Sequence, residues 1–203
     1  MSLPNQYDFV YLASASPRRS QLLDQLGVQH RPLLPAASEN PESWEEERSG
    51  EPALAYVQRV ALRKLAAARK RLQLRKLPPA PILVADTTVA LGRRLLGKPD
   101  DPDHARQMLR QLSGRTHRVL TAVALARSSR RESVVNVSRV TFARLTRAQI
   151  DAYARSGEPL DKAGGYGIQG AAGAFARRIE GSYSGIMGLP LYETARLLRL
   201  PAR

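Results

Sequence analysis

The run Ile82-Leu83-Val84-Ala85, set off by Pro78, Pro79 and Pro81 and closed by Asp86, constrains the fold of this chain more than any other stretch. Consecutive aliphatics leave no polar face, so the segment reads as a fully buried strand with a carboxylate at its carboxyl end. A strand of that kind belongs to a sheet flanked by helices. From Pro52 to about Leu74 the positions Leu54, Val57, Ala61, Leu65 and Ala68 follow helical spacing. Asp101-Pro102 caps a second helix, with Ala105, Met108, Leu109 and Leu112 on one face and Gly114 at its end. Val89 to Leu91, Gly92 and Leu95-Leu96 read as a hairpin, and 117–127 and 134–144 as strands around the polar turn Ser128 to Glu132. Thr146 and Gln149 form a capping box for a helix reaching Ser156, and Pro190 opens a last helix with Leu191, Ala195 and Leu198 inside. The expected class is α/β, a mixed twisted sheet with flanking helices, in one domain spanning 1–203.

The N-terminal segment carries the first chemical signal. Phe9 to Leu12 is a short strand that stops at a small-residue turn and reopens as a helix. Ser16 suits the N-cap, Pro17 the first helical position, and Leu22, Leu23 and Leu26 mark a buried face until Gly27. Arg18 and Arg19 then fall in the first turn, where they oppose the helix dipole. Helix stability does not explain them; an anion does, and phosphate matches the guanidinium fork. The rival account is a solvated basic turn. Residues 29–52 are polar, proline-rich and acidic (Glu39, Glu42, Glu45, Glu46, Glu47), and read as a long surface loop.

Composition narrows the function classes. The 203 residues suit one large domain or one domain of two lobes, with ample core, and no apolar run reaches membrane-spanning length. The N-terminus lacks a signal-peptide pattern, and the absence of cysteine excludes disulfides, thiolate metal sites and a thiol nucleophile. A cytoplasmic location is expected. The net charge of +14 invites nucleic acid, but the excess is spread along the chain and aromatics are 5%. Arg69-Lys70-Arg71 and Arg130-Arg131 read as solvated faces, and a phosphate-bearing substrate accounts for the charge more economically than a specific nucleic acid.

Three further clusters stand out. Asp86 follows buried aliphatics, and the Thr87-Thr88 continuation argues against a simple turn. Lys98 lies in Gly97-Lys98-Pro99, which would fix the backbone around one cation; an exposed turn lysine is the alternative. Residues 157–188 hold nine of the fourteen glycines and read as irregular. Within them, Glu158 to Gly170 gathers carboxylates, Lys162, the Gln169 amide and glycines that let backbone N–H groups approach a ligand. His30, His104 and His117 show no ligand spacing and read as surface, helix-start and strand residues. No nucleophile–base pair and no glycine-rich phosphate loop is present, so water with an assisting metal is the expected nucleophile.

In that order the clusters resemble the Maf family, septum-formation inhibitor-like nucleoside triphosphate pyrophosphatases. The resemblance rests on LASASPRRSQLLDQLG, YVQRVALRK, ILVADTTVALGRRLLGKPDDPDHARQMLRQLSGRTHRVLTAVAL, GEPLDKAGGYGIQG and GSYSGIMGLPLYET. It implies a fold shared with inosine-triphosphate pyrophosphatases, with two lobes around a nucleotide cleft. It also implies hydrolysis between the α- and β-phosphates with Mg²⁺ or Mn²⁺. The DKAG-Y-GIQG form is similar to the branch acting on dTTP and UTP, whereas the 7-methyl-GTP branch carries a glutamate at the position of Gln169. An amide can donate to O4 and accept from N3–H of a uracil or thymine; a carboxylate can only accept.

Residue by residue, the resemblance makes Arg18 and Arg19 the phosphate pair, with Ser14 and Ser16 as turn donors. Arg18, Thr87 and Gln169 contribute to substrate choice, and Lys64 and Lys98 are cations facing the triphosphate. Asp161 and Lys162 join the substrate set. Asp86 is the general base and, with Glu39, the metal neighbour. Two departures stand out: Ser38-Glu39 replaces an acidic pair, and Ser184-Gly185 replaces bulkier residues before GLP. The alternatives are a 7-methyl-GTP pyrophosphatase and a non-catalytic protein of septum formation or nucleic-acid binding. A homodimer is the generic expectation for soluble enzymes of this sort.

Overall fold

The structure, a computed structural model, describes residues 8–36, 39, 40 and 42–200. Strands β1 (Val10–Leu12), β2 (His30–Pro32), β3 (Ile82–Leu91), β4 (Arg94–Leu96), β5 (Thr116–Arg127), β6 (Arg130–Phe142) and β7 (Ala176–Glu180) form one sheet. Its order is β2-β1-β3-β5-β6-β7, with β4 also on β3. Pairings of β1 with β2 and β3 are parallel, whereas β3–β4 and β6–β7 are antiparallel, so the sheet is mixed as expected. Helices are α1 (Pro17–Gln25), α2 (Ala53–Leu74), α3 (Pro102–Leu112), α4 (Arg147–Arg155), α5 (Tyr183–Met187) and α6 (Leu191–Leu198).

Two compact units share the chain. The first comprises 1–86, 121–136 and 188–203; the second comprises 87–120 and 137–187. In the first, α1 starts at Pro17 behind Ser16, whose hydroxyl makes no capping bond; the Ser14 hydroxyl accepts from the Ser16 N–H instead, at 3.2 Å. Leu22 and Leu23 are buried, while Leu26 is half-buried at the C-cap. His30–Pro32, expected as loop, is a strand, because its backbone pairs with Val10–Leu12. His30 lies there partly covered, 2.6 Å from the Ser20 hydroxyl, rather than at the surface. Along α2 the buried face includes Val57, Val60, Ala61, Leu65 and Ala68, but Leu54 is 50% exposed. Arg71, expected to be solvated, is 4% exposed and anchors a loop.

β3 continues past Asp86 to Leu91, so the carboxylate sits mid-strand; the threonines that follow keep the extended backbone going. The β3–β4 hairpin pairs Val89 with Leu96 and Leu91 with Arg94. Between β5 and β6 only Ser128 and Ser129 turn the chain, shorter than the polar turn expected.

In the second unit, Asp101 caps α3 by accepting from the His104 N–H at 2.7 Å, and Thr146 and Gln149 cap α4 reciprocally. The core joins Leu109, Leu112, Val140, Ile150, Tyr166, Ile168 and Phe175. His117 is buried among these rings, 5.0 Å from Phe142 and 5.4 Å from Tyr166 between centroids. The glycine-rich stretch expected to be irregular contains strand β7 and α5 as well as short 3-10 turns. Among the described residues no helix is long and apolar enough to cross a membrane.

Candidate active site

Asp86 is the one charged residue of β3 and is 7% exposed. Burying a carboxylate in such a strand costs several kcal/mol unless a cation answers it. Lys64 of α2 does: its Nζ lies 2.5 Å from Asp86 Oδ1 and 2.7 Å from Glu45 Oε1. Burial pushes the Asp86 pKa above the usual carboxylate range, and Lys64 opposes that rise. Arg19 stands within electrostatic reach of both Asp86 and Glu45, while its own burial lowers its guanidinium pKa. Its Nε donates to the Gly188 carbonyl at 2.9 Å and its Nη1 to the Ser14 hydroxyl at 3.0 Å. Ser14, Ser16 and Arg19 therefore come together at the start of α1. Arg18 is half-exposed on the same turn.

Glu39 goes elsewhere. Its oxygens accept from Arg71 Nε at 2.8 Å and Nη2 at 2.6 Å, and Oε1 also accepts from the Ala36 N–H at 3.0 Å. The arginine bonds hold its pKa down to about 2. Arg71 Nη1 donates in turn to the Leu33 carbonyl at 2.7 Å. Ser38, noted as a departure from the family's acidic pair, lies outside the described residues. The carboxylate that shares Lys64 with Asp86 is Glu45, which the sequence analysis left among five loop glutamates. A dense acidic loop in a chain of net charge +14 was the available signal, but no spacing separated Glu45 from Glu46 or Glu47.

The second unit holds Thr87, Lys98, Asp161, Lys162 and Gln169. Lys98 is exposed beside buried Pro99, and the Gly97 carbonyl accepts from the Gly164 N–H at 2.9 Å, which ties the Lys98 turn to the DKAGG segment. Lys162 Nζ binds Asp161 Oδ1 at 2.5 Å and the Glu158 carbonyl at 2.6 Å. Gln169 is exposed, whereas Tyr166 and Ile168 are in the core. The glycines were expected to admit a ligand to the backbone; their close neighbours here are the protein's own side chains. A Cβ on Gly164, at φ 72°, would lie 2.8 Å from Val89, and one on Gly170 would lie 2.0 Å from a Glu158 oxygen. Tyr153 fastens the segment, with its hydroxyl 3.0 Å from Glu158 Oε1 and 3.1 Å from the Gly167 N–H.

A divalent ion fits the donor set of the first unit. Asp86 and Glu45 offer hard carboxylate oxygens, and Lys64 and the Arg19 guanidinium, both within electrostatic reach, answer their charge. No group of three or more His, Asp or Glu among the described residues could hold a metal alone. Mg²⁺ and Mn²⁺ are commonly bound by one or two carboxylates together with substrate phosphates.

A mixed α/β scaffold with a carboxylate–ammonium–carboxylate set built on buried Asp86, and an arginine pair at a helix start, suits an enzyme of the phosphate-handling kind. The sequence profile of Maf-like proteins matches residues 9–200, and the chain belongs to that family. It is 58% identical over 192 residues to a dTTP/UTP pyrophosphatase of Polaromonas sp., covering 95% of each chain. A dTTP/UTP pyrophosphatase of Albidiferax ferrireducens is 57% identical over 192 residues, covering 95% of this chain and 96% of its own. A solved dITP/XTP pyrophosphatase from Mycobacterium abscessus is more distant, with a TM-score of 0.40 and 17% identity over 67% of this chain and 75% of its own.

Proposed function

We propose that this protein hydrolyses dTTP and UTP, and related 5-substituted uridine triphosphates, between the α- and β-phosphates to the monophosphate and pyrophosphate. The observation that carries this reading is the buried Asp86–Lys64 pair at 2.5 Å with Arg19 in electrostatic reach. The names of relatives at 52–58% identity support the substrate class.

In this mechanism Arg18, Arg19 and the donors around Ser14 and Ser16 bind phosphate oxygens. Arg19 is held by the Gly188 carbonyl and the Ser14 hydroxyl, so little side-chain freedom is lost on binding. Asp86 orients a water and accepts its proton as the new P–O bond forms; the bridging oxygen of the anhydride leaves with the other phosphorus. A raised pKa makes Asp86 a better base than a free carboxylate. Lys64, Lys98 and Lys162 offset negative charge on the departing pyrophosphate. Asp86, with a carboxylate of the acidic loop, would hold Mg²⁺ or Mn²⁺, which when bound lowers the pKa of water and screens phosphate charge. Asp161 fixes Lys162, Thr87 adds a hydroxyl to the substrate set, and the Gln169 amide reads the pyrimidine edge. The reading places the enzyme in the cytoplasm, where its substrates are.

The test is a panel of nucleoside triphosphates with Mn²⁺, read for pyrophosphate and orthophosphate separately. Pyrophosphate from dTTP and UTP is expected. Orthophosphate as first product, selective use of 7-methyl-GTP, or salt-sensitive DNA binding without turnover would overturn the reading.

A further inference from the structure

Gln169 is exposed at the tip of a turn that one carboxylate holds from both sides. The turn is closed by the Gly170 N–H, which donates to the Gly167 carbonyl at 3.0 Å. Ahead of the tip, the Gly167 N–H donates to the Tyr153 hydroxyl, which donates in turn to Glu158 Oε1. Behind it, the Ala171 N–H donates to Glu158 Oε2 at 3.4 Å. The two oxygens of Glu158 therefore fix the peptides on either side of Gln169, one directly and one through Tyr153. Bonds to a carboxylate are roughly twice as strong as neutral ones. Tyr153 is 4% exposed and its ring packs edge to face on Phe175 at 5.3 Å. Burial raises its pKa, so the hydroxyl keeps the proton it donates.

The glycines of this turn are matched to the same side chains. A Cβ on Gly170 would lie 2.0 Å from the Glu158 carboxylate, so a side chain there would expel it from the turn. A Cβ on Gly167 would lie 2.8 Å from the Lys162 stem and 3.1 Å from the Gln169 amide, which close together over the bare Cα. Lys162 is tied to Glu158 as well, through the Glu158 carbonyl at 2.6 Å. Ile168, next to Gln169, is 5% exposed, so the core anchors the backbone from below.

We propose that Glu158 and Tyr153 are positioning residues for recognition of the base, acting through the turn that carries Gln169. The inference rests on the reading in which the Gln169 amide meets the pyrimidine edge. That contact has two points, O4 and N3–H, and such a constellation is productive only when held within about 0.5 Å and 10–20°. Cytosine presents the opposite pattern, a donor on C4 and an acceptor at N3. An amide turned over would match cytosine instead, so the preference lies in how the amide is held. Glu158 and Tyr153 act on backbone atoms, and their loss changes which base is bound.

The test is calorimetric titration with the α,β-methylene analogues of UTP and CTP in Mg²⁺, which cannot be cleaved between the α- and β-phosphates. The parent is expected to bind the uridine analogue about tenfold or more tightly than the cytidine analogue. Tyr153→Phe and Glu158→Gln should each lower that ratio by about fivefold, the scale of one hydrogen bond. With Gln169→Ala already present, adding either change should alter the ratio by less than about twofold. Gly170→Ala, which crowds the carboxylate from the other side, should give the same fall and serves where either variant fails to fold. An unmoved ratio, a loss shared equally by both analogues, the same fall with and without the Gln169 amide, or a parent with no preference overturns the inference. Pyrophosphate release from UTP, with ratios unmoved in the variants, defeats this inference alone. Ratios that move as expected, in a chain that releases no pyrophosphate, defeat the functional reading alone.

Discussion

Lys64 Nζ and Asp86 Oδ1 meet at 2.5 Å, joining a helix to the middle of a strand buried on both faces. The pair resolves a conflict written into the chain: β3 needs apolar residues, and position 86 is an aspartate. Removing either partner of such a buried pair leaves an uncompensated charge.

Asp86→Asn keeps the shape and discards the charge. Turnover of dTTP should fall by about 10² to 10⁴, the usual worth of a positioned base, while nucleotide binding persists. Steady-state kinetics beside equilibrium binding will show it; parental kcat would remove Asp86 from catalysis.

His117 ties stability to acid. It is 1% exposed, its Nε2 is 2.8 Å from the Tyr166 hydroxyl, and burial lowers its pKa from 6.5 to about 4. Below pH 6.5 the unfolded chain takes up a proton that the folded chain refuses. Stability is therefore full above pH 6.5 and declines as pH falls towards 4, by up to about 3 kcal/mol. Denaturant melts at pH 7 and pH 4.5 should reveal the slope, and His117→Phe should flatten it. An equal slope in the variant would assign the acid sensitivity to other groups.

Gly164 and Gly50 offer a matched contrast. Both have positive φ, 72° and 73°, but a Cβ at Gly164 meets Val89 within 2.8 Å and one at Gly50 meets nothing within 4 Å. Gly50→Ala should cost about 1 kcal/mol of backbone strain, and Gly164→Ala that plus about 1–3 kcal/mol of overpacking in the core. Thermal unfolding of the two variants decides; equal losses would mean Val89 yields without cost.

Gln169→Glu exchanges a donor–acceptor for an acceptor. The ratio of kcat/KM for UTP over 7-methyl-GTP should drop by about tenfold or more, on the scale of one hydrogen-bonded partner lost. An unchanged ratio would move base reading to another residue.

Much of this was legible in the sequence because it depends on neighbours in the chain. The α4 capping box, the Asp101 cap and the β3–β4 hairpin are set by residues a few positions apart, and the structure has each of them. Asp86 was legible as a candidate from the apolar run before it, and Lys64 through the resemblance. What sequence did not disclose depends on distant partners. His30–Pro32 looks like loop until Val10–Leu12 lies beside it. Arg71 looks solvated until Leu33 and Glu39 close over it. The different partners of Glu39 and Glu45 are of the same kind, since the arginine that pairs with one and the lysine that pairs with the other both lie on α2.

At about 100° per residue, Lys64 and Arg71 lie one heptad apart on α2 and are nearly superposed in projection. The helix therefore works as an indexing rod whose rotation sets loop and strand chemistry together. Deleting one residue between Arg59 and Lys64 would turn every later side chain by about 100°, carrying Lys64 away from Asp86 and Arg71 away from Glu39 at once. A point substitution along this rod alters one of these contacts; a change in its length alters all that follow.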